Sequence, residues 1–146
     1  MKNIKTVTTR SILLVIMGTM VLFCFSACAR KVSFQISSVV PAAKGTVKVT
    51  KDNNENYKIK ISIDNLAEPE RLQPAKKTYV VWMETEKNTI KNIGQINSST
   101  GFLSSKLKAS FENVSSFKPA KIFLTAEDDA AIQYPGTQMI LSTGNF

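Results

Sequence analysis

The segment Tyr57-Lys-Ile-Lys-Ile-Ser-Ile63 alternates apolar and polar residues without a break. Successive side chains of an extended strand point to opposite faces, so Tyr57, Ile59, Ile61 and Ile63 share one face while Lys58, Lys60 and Ser62 share the other. A helix would spread the same residues around its circumference. The segment therefore demands a sheet with one buried and one wet face, the usual condition of antiparallel β-structure. Lysines on the wet face would also discourage edge-to-edge aggregation if the strand were peripheral.

Thr78-Tyr-Val-Val-Trp-Met-Glu84 makes a different demand. Tyr79, Val81 and Met83 fall on one face and Val80 and Trp82 on the other, so both faces need cover and the strand is expected at the centre of the fold. Trp82, the single tryptophan, and Tyr79 are the expected core anchors. A ligand-stacking role for Trp82 is the competing reading.

The remaining chain reads as short strands between turns. Val32 to Val40 is expected as a first strand, with Val32, Phe34 and Ile36 alternating against polar neighbours. Pro41 to Gly45 breaks it, Thr46 to Thr50 resumes the alternation, and Asp52-Asn-Asn-Glu-Asn56 supplies a hairpin turn before Tyr57. Leu66 is placed at the end of the core, and Ala67 to Lys77, with Pro69 and Pro74, is a long connection. Later strands are expected at Thr89 to Ile96, where Gly94 permits a bulge or close packing, and at Leu107 to Phe111, Ala120 to Ala126 and Thr137 to Ser142. Seven or eight short strands without a capped helical segment predict an all-β fold, an antiparallel immunoglobulin-like β-sandwich over residues 32–146.

The first residues carry an address. Lys2, Lys5 and Arg10 precede the apolar run Ile12 to Phe25, about 14 residues long and short of a bilayer span, and the small residues Ser26 and Ala27 follow. This is the pattern of a signal peptide over residues 1–27, with a retained transmembrane anchor as the competing reading. Phe25-Ser-Ala-Cys28 resembles the lipobox of bacterial lipoproteins, with Phe25 where leucine is commonest. That resemblance implies an acylated Cys28 as the new N-terminus, a tether over residues 28–31, and attachment to membrane through lipid. Cys24 as the acceptor, and ordinary secretion through the A-x-A pattern Ala27-Cys-Ala29, are the alternatives. Ala29-Arg30 lacks the aspartate associated with inner-membrane retention in enterobacterial lipoproteins, so the resemblance implies the outer membrane, with the domain facing the periplasm.

Of the 146 residues, 19 are basic and 11 acidic; losing Lys2, Lys5 and Arg10 with the signal, which contains no acid, reduces the surplus from +8 to +5. Nucleic acid is a poor match for so small an excess. Attraction to anionic lipid or polysaccharide competes with a merely solvated lysine-rich surface. With no histidine and no cysteine beyond Cys24 and Cys28, the usual general base, thiol nucleophile and soft metal ligands are missing, and neither enzyme activity nor a cofactor is expected. Glu127, Asp128 and Asp129 form the densest carboxylate group. Three successive acids do not by themselves surround a calcium ion, so a solvated loop is expected there, and no metal. Glu84 and Glu86 would share a side if their strand continued so far.

In the second half, Asn65-Leu66, Tyr79-Val-Val-Trp82, Ile93-Gly94, Ile122-Phe-Leu-Thr-Ala-Glu127, Pro135-Gly-Thr137 and the ending Ile140-Leu-Ser-Thr-Gly144 together resemble the extracytoplasmic β-sandwich domain of anti-sigma-K factor type regulators. The resemblance covers residues 57–146 and implies a sensory or protein-interaction role. Members of that family carry a cytoplasmic sigma-binding domain before a transmembrane helix. Here a signal peptide stands in that place, so sigma-factor binding is not implied. Asp128-Asp129-Ala130 also replaces the glycine pair usual after the late strand. A non-catalytic interaction module of the cell envelope, with an envelope protein as its partner, is the first expectation. The other is a carbohydrate or small-ligand binding module using Tyr57, Tyr79 or Tyr134 as stacking platforms, which requires those rings to be exposed together.

Overall fold

A computed structural model describes residues 29–100 and 107–146. Nine strands appear among them: β1 (Arg30–Ser33), β2 (Lys44–Lys51), β3 (Tyr57–Asp64), β4 (Thr78–Thr85), β5 (Ile90–Ile96), β6 (Ser99–Thr100), β7 (Leu107–Ser115), β8 (Pro119–Glu127) and β9 (Met139–Ser142). The only helical element described is a 3-10 turn at Pro69–Arg71. One sheet runs β1-β2-β3-β7-β6 and the other β5-β4-β8-β9, with every pairing antiparallel. Setting β1 aside, this is the strand order of immunoglobulin-like sandwiches, ABED on one sheet and CFG plus C′ on the other. The antiparallel β-sandwich expected from the alternation patterns is the fold. The short β1 and the two-residue β6 raise the strand count.

The core fills the space between the sheets. Ile59, Ile61 and Ile63 of β3 point inward with Val47 and Val49 of β2, towards Tyr79, Val81 and Met83 of β4 and Ile122, Leu124 and Ala126 of β8. Leu66 is fully buried just beyond β3, as its position predicts. Strand β3 is interior, bonded on one side to β2 and on the other to β7. Edge protection therefore does not explain its lysines.

A smaller cluster lies on the outer face of the second sheet, where Val80, Trp82 and Phe123 are buried beneath Ile132. Ile132 belongs to the β8–β9 connection, which folds back over that face. Asn92 of β5 fastens it, its Nδ2 donating to the carbonyls of Ala130 and Ile132 at 2.9 and 3.0 Å. Both faces of β4 are covered, as its composition predicts.

At the position expected for a bulge, the pairing of β4 with β5 passes from Val81–Gly94 to Trp82–Asn92, leaving Ile93 as an extra residue. Gly94 adopts φ 134°, outside the range of ordinary L-residues. Asn113 of β7 reaches across the sandwich and donates to the Ile93 carbonyl at 3.0 Å.

Two boundaries differ from expectation. Strand β1 begins at Arg30, so Arg30 and Lys31 are sheet residues rather than tether. It also ends at Ser33, because the chain changes sheets there: the Phe34 amide donates to Gly45 O in the first sheet, and the Gln35 amide donates to Ser142 O in the second. Ser37 then turns the chain, its hydroxyl accepting the amides of Val39 and Val40. Ile36, expected to face inward, is 91% exposed.

Candidate functional site

Cys28 lies outside the described residues. The two anchors are both buried but serve opposite faces of β4. Tyr79 enters the inter-sheet core, its hydroxyl donating to Ala67 O at 2.7 Å. Burial, reinforced by the negative charge of Glu70, pushes the phenol up to about 12. Trp82 sits in the outer cluster, stacked on Phe123 with ring centroids 6.3 Å apart, and donates from Nε1 to Thr125 Oγ1 at 2.8 Å. With no exposed surface, its ring offers nothing to a ligand.

The three tyrosines are not gathered into one platform. Tyr79 is buried, Tyr57 is half-buried against the core, and Tyr134 is 84% exposed on the β8–β9 connection. The hollow beside Tyr57, lined also by Arg30, Val49, Lys118 and Phe146, encloses only about 200 Å³. Small-molecule pockets typically run from roughly 300 to 1,000 Å³.

The acidic loop is dispersed. Glu127 ends β8 buried and accepts the Gly136 amide at 2.8 Å, closing the connection on itself. Asp128 pairs with Lys76 at 2.7 Å, and Asp129 accepts the Ala131 amide at 2.9 Å. Among the described residues no cluster of three or more His, Cys, Asp or Glu is placed to hold a metal ion. Glu84 and Glu86 also part company: β4 ends at Thr85, and Glu86 pairs with Lys118.

The most unusual surface is the outer face of the first sheet. The register sets Lys31 of β1 against Lys48 of β2, Lys48 against Lys60 of β3, and Lys60 against Glu112 of β7, making one row across four strands. Two residues along each strand runs a second row, Ser33, Thr46, Ser62 and Ser110, again in direct register. A trough of about 500 Å³ lies between them, lined by Lys31, Lys48, Lys60, Thr46, Ser62 and Ser110 among others.

Glu112 lies 2.5 Å from Lys58 and 3.0 Å from Lys60. Hydrogen bonds from Lys58 and then Lys60 hold its carboxyl below its ordinary value. Among the described residues no carboxylate lies within ion-pairing distance of Lys31 or Lys48. Glu112 therefore offsets part of the positive charge at the β7 end of the row, while Lys31 and Lys48 have no such partner among the described residues. Like charges directly opposite each other on neighbouring strands oppose folding, so the row works against the sheet that carries it. Cationic side chains beside a line of hydroxyls suit an oxyanion. Alternation along β3 marks its lysines as outward-facing, but their alignment with Lys31 and Lys48 is a property of register.

No protein-family model, curated protein or solved structure matches the chain.

Proposed function

We propose that this chain is a lipid-anchored bacterial cell-envelope protein whose β-sandwich serves a non-catalytic protein-interaction or sensory role, of the kind its resemblance to anti-sigma regulators implies. The observation that carries the reading is the start of β1 at Arg30, two residues after Cys28 of the Phe25-Ser-Ala-Cys28 motif. Acyl chains on Cys28 would hold the sandwich at the membrane by its first strand, and several chains together give stable attachment. Dispersal of the tyrosines supports an interaction role over a carbohydrate platform. We assign the partner surface to the end of the sandwich remote from Arg30, where Val39 and Met139 line an open cleft with Pro74 and Gly136. Val39 and Met139 are 39% and 47% exposed there.

The test joins intact-mass measurement of the mature protein to in-cell cross-linking from position 139. Expected are a globomycin-sensitive precursor, acyl mass on Cys28, and one envelope protein cross-linked by the native chain and lost in Cys28→Ser. An unmodified N-terminus at Arg30 would overturn the anchor. Cross-linking that yields no protein while the acyl mass is present would overturn the interaction role.

A further inference from the structure

We infer that the Lys31–Lys48–Lys60 face of the first sheet lies against anionic phospholipid headgroups and sets the orientation of the sandwich on its membrane. The inference deepens the lipid-anchor reading and rests on it for the placement of β1. From Cys28 to Lys31 the chain advances three residues, which span at most about 10 Å when extended. Screening in physiological salt falls off over about 8 Å. An acylated Cys28 thus holds Lys31 close to the reach of headgroup charge, and Lys48 and Lys60 follow one and two strands further on, at roughly 4.8 Å per strand.

Three features of this face agree. Its uncompensated lysines, Lys31 and Lys48, are on the two strands nearest the anchor, while Glu112, which Lys58 and Lys60 share, is on β7, the fourth strand of the sheet. The hydroxyls of Ser33, Thr46, Ser62 and Ser110 form a parallel row of donors for phosphate oxygens. The repulsion along the lysine row, unfavourable in the isolated sandwich, is relieved when an anionic surface meets it. Edge protection offers no alternative account of Lys60, which belongs to an interior strand.

The experiment uses the full chain purified from bacterial membranes, its intact mass recorded first. Its partition is then measured onto phosphatidylcholine vesicles with and without phosphatidylglycerol. The ratio of the two partition coefficients isolates the electrostatic contribution, because acyl and other apolar insertion enters both. Each lysine is expected to contribute roughly fivefold to that ratio, the equivalent of about 1 kcal/mol per basic residue near an anionic leaflet. The triple variant Lys31→Gln, Lys48→Gln, Lys60→Gln therefore loses about a hundredfold. The triple Arg variant retains the ratio, and high salt abolishes it. Removing the same charge elsewhere, by Lys77→Gln, Lys87→Gln and Lys121→Gln, leaves it within about twofold.

Equal losses from the two Gln triples, or no loss from either, would overturn the inference. So would lysine-dependent binding of soluble polyphosphate with no preference for anionic vesicles, which would assign the face to a free anionic polymer. An unmodified mass defeats the anchor alone, since the vesicle ratio tests the face with or without acyl chains. An acylated protein indifferent to phosphatidylglycerol defeats the face and leaves the anchor standing.

Discussion

Trp82 Nε1 donates to Thr125 Oγ1 at 2.8 Å beneath the β8–β9 connection, joining the outer faces of two neighbouring strands where no solvent reaches. An indole N–H deprived of its acceptor in such a place bears the full cost of desolvation. Thr125→Val keeps the side-chain shape and removes the acceptor, so it should lower unfolding free energy by about 1–3 kcal/mol. Trp82→Ala should lower it by about 3–5 kcal/mol through the cavity it leaves. Urea denaturation followed by circular dichroism measures both, and equal stability of Thr125→Val and the native protein would show that the bond contributes nothing.

Asn92 governs the cover over that cluster. Its amide group holds the carbonyls of Ala130 and Ile132, while its Oδ1 accepts the Gly94 amide at 3.0 Å. Asn92→Ala should release the connection from the sheet and admit water to Trp82 at a cost of about 1–2 kcal/mol. Since Trp82 is the only tryptophan, acrylamide quenching of fluorescence reports this opening directly. Quenching should rise in Asn92→Ala well below the denaturant concentration at which the sandwich unfolds.

The faces of β3 and the two-sided burial of β4 were readable in the sequence because each follows from alternation within one strand. What covers Trp82 was not, since Ile132 lies 50 positions away and reaches it only when Asn92 turns the connection back. The end of the first strand is hidden for a related reason: Val32, Phe34 and Ile36 keep their alternation past the point where Phe34 and Gln35 divide their hydrogen bonds between the sheets. The lysine row was hidden more deeply still. Lys31, Lys48 and Lys60 are unremarkable within their own strands, and only three successive registers bring them and Glu112 into line.

Gly94 couples the bulge to the opposite sheet. At φ 134° a residue with a Cβ is strained, and that Cβ would stand 2.9 Å from Phe111 Cε2. Gly94→Ala should cost about 1–3 kcal/mol for the backbone alone, with more for displacing Phe111. A double-mutant cycle with Phe111→Ala separates the two. The cost of Gly94→Ala should shrink in the Phe111→Ala background without vanishing, and complete disappearance would mean that the contact, not the backbone, requires glycine.

Tyr79 gives the fold a limit at high pH. Its phenol, buried and bonded to Ala67 O, is pushed up to about 12, against roughly 10 in an unfolded chain. Between those values the unfolded state has released its proton and the folded state has kept it, so stability falls as pH rises. The contribution is present in full below pH 10 and is lost by about pH 12. A two-unit shift corresponds to a loss on the order of 3 kcal/mol across that window. Tyr79→Phe leaves Ala67 O without its donor and should cost about 1 kcal/mol at neutral pH. It also removes the titrating group, so its stability should decline less steeply above pH 10. Urea midpoints at pH 8, 10 and 11.5 for the two proteins decide the matter, and parallel declines would place the alkaline sensitivity elsewhere than Tyr79.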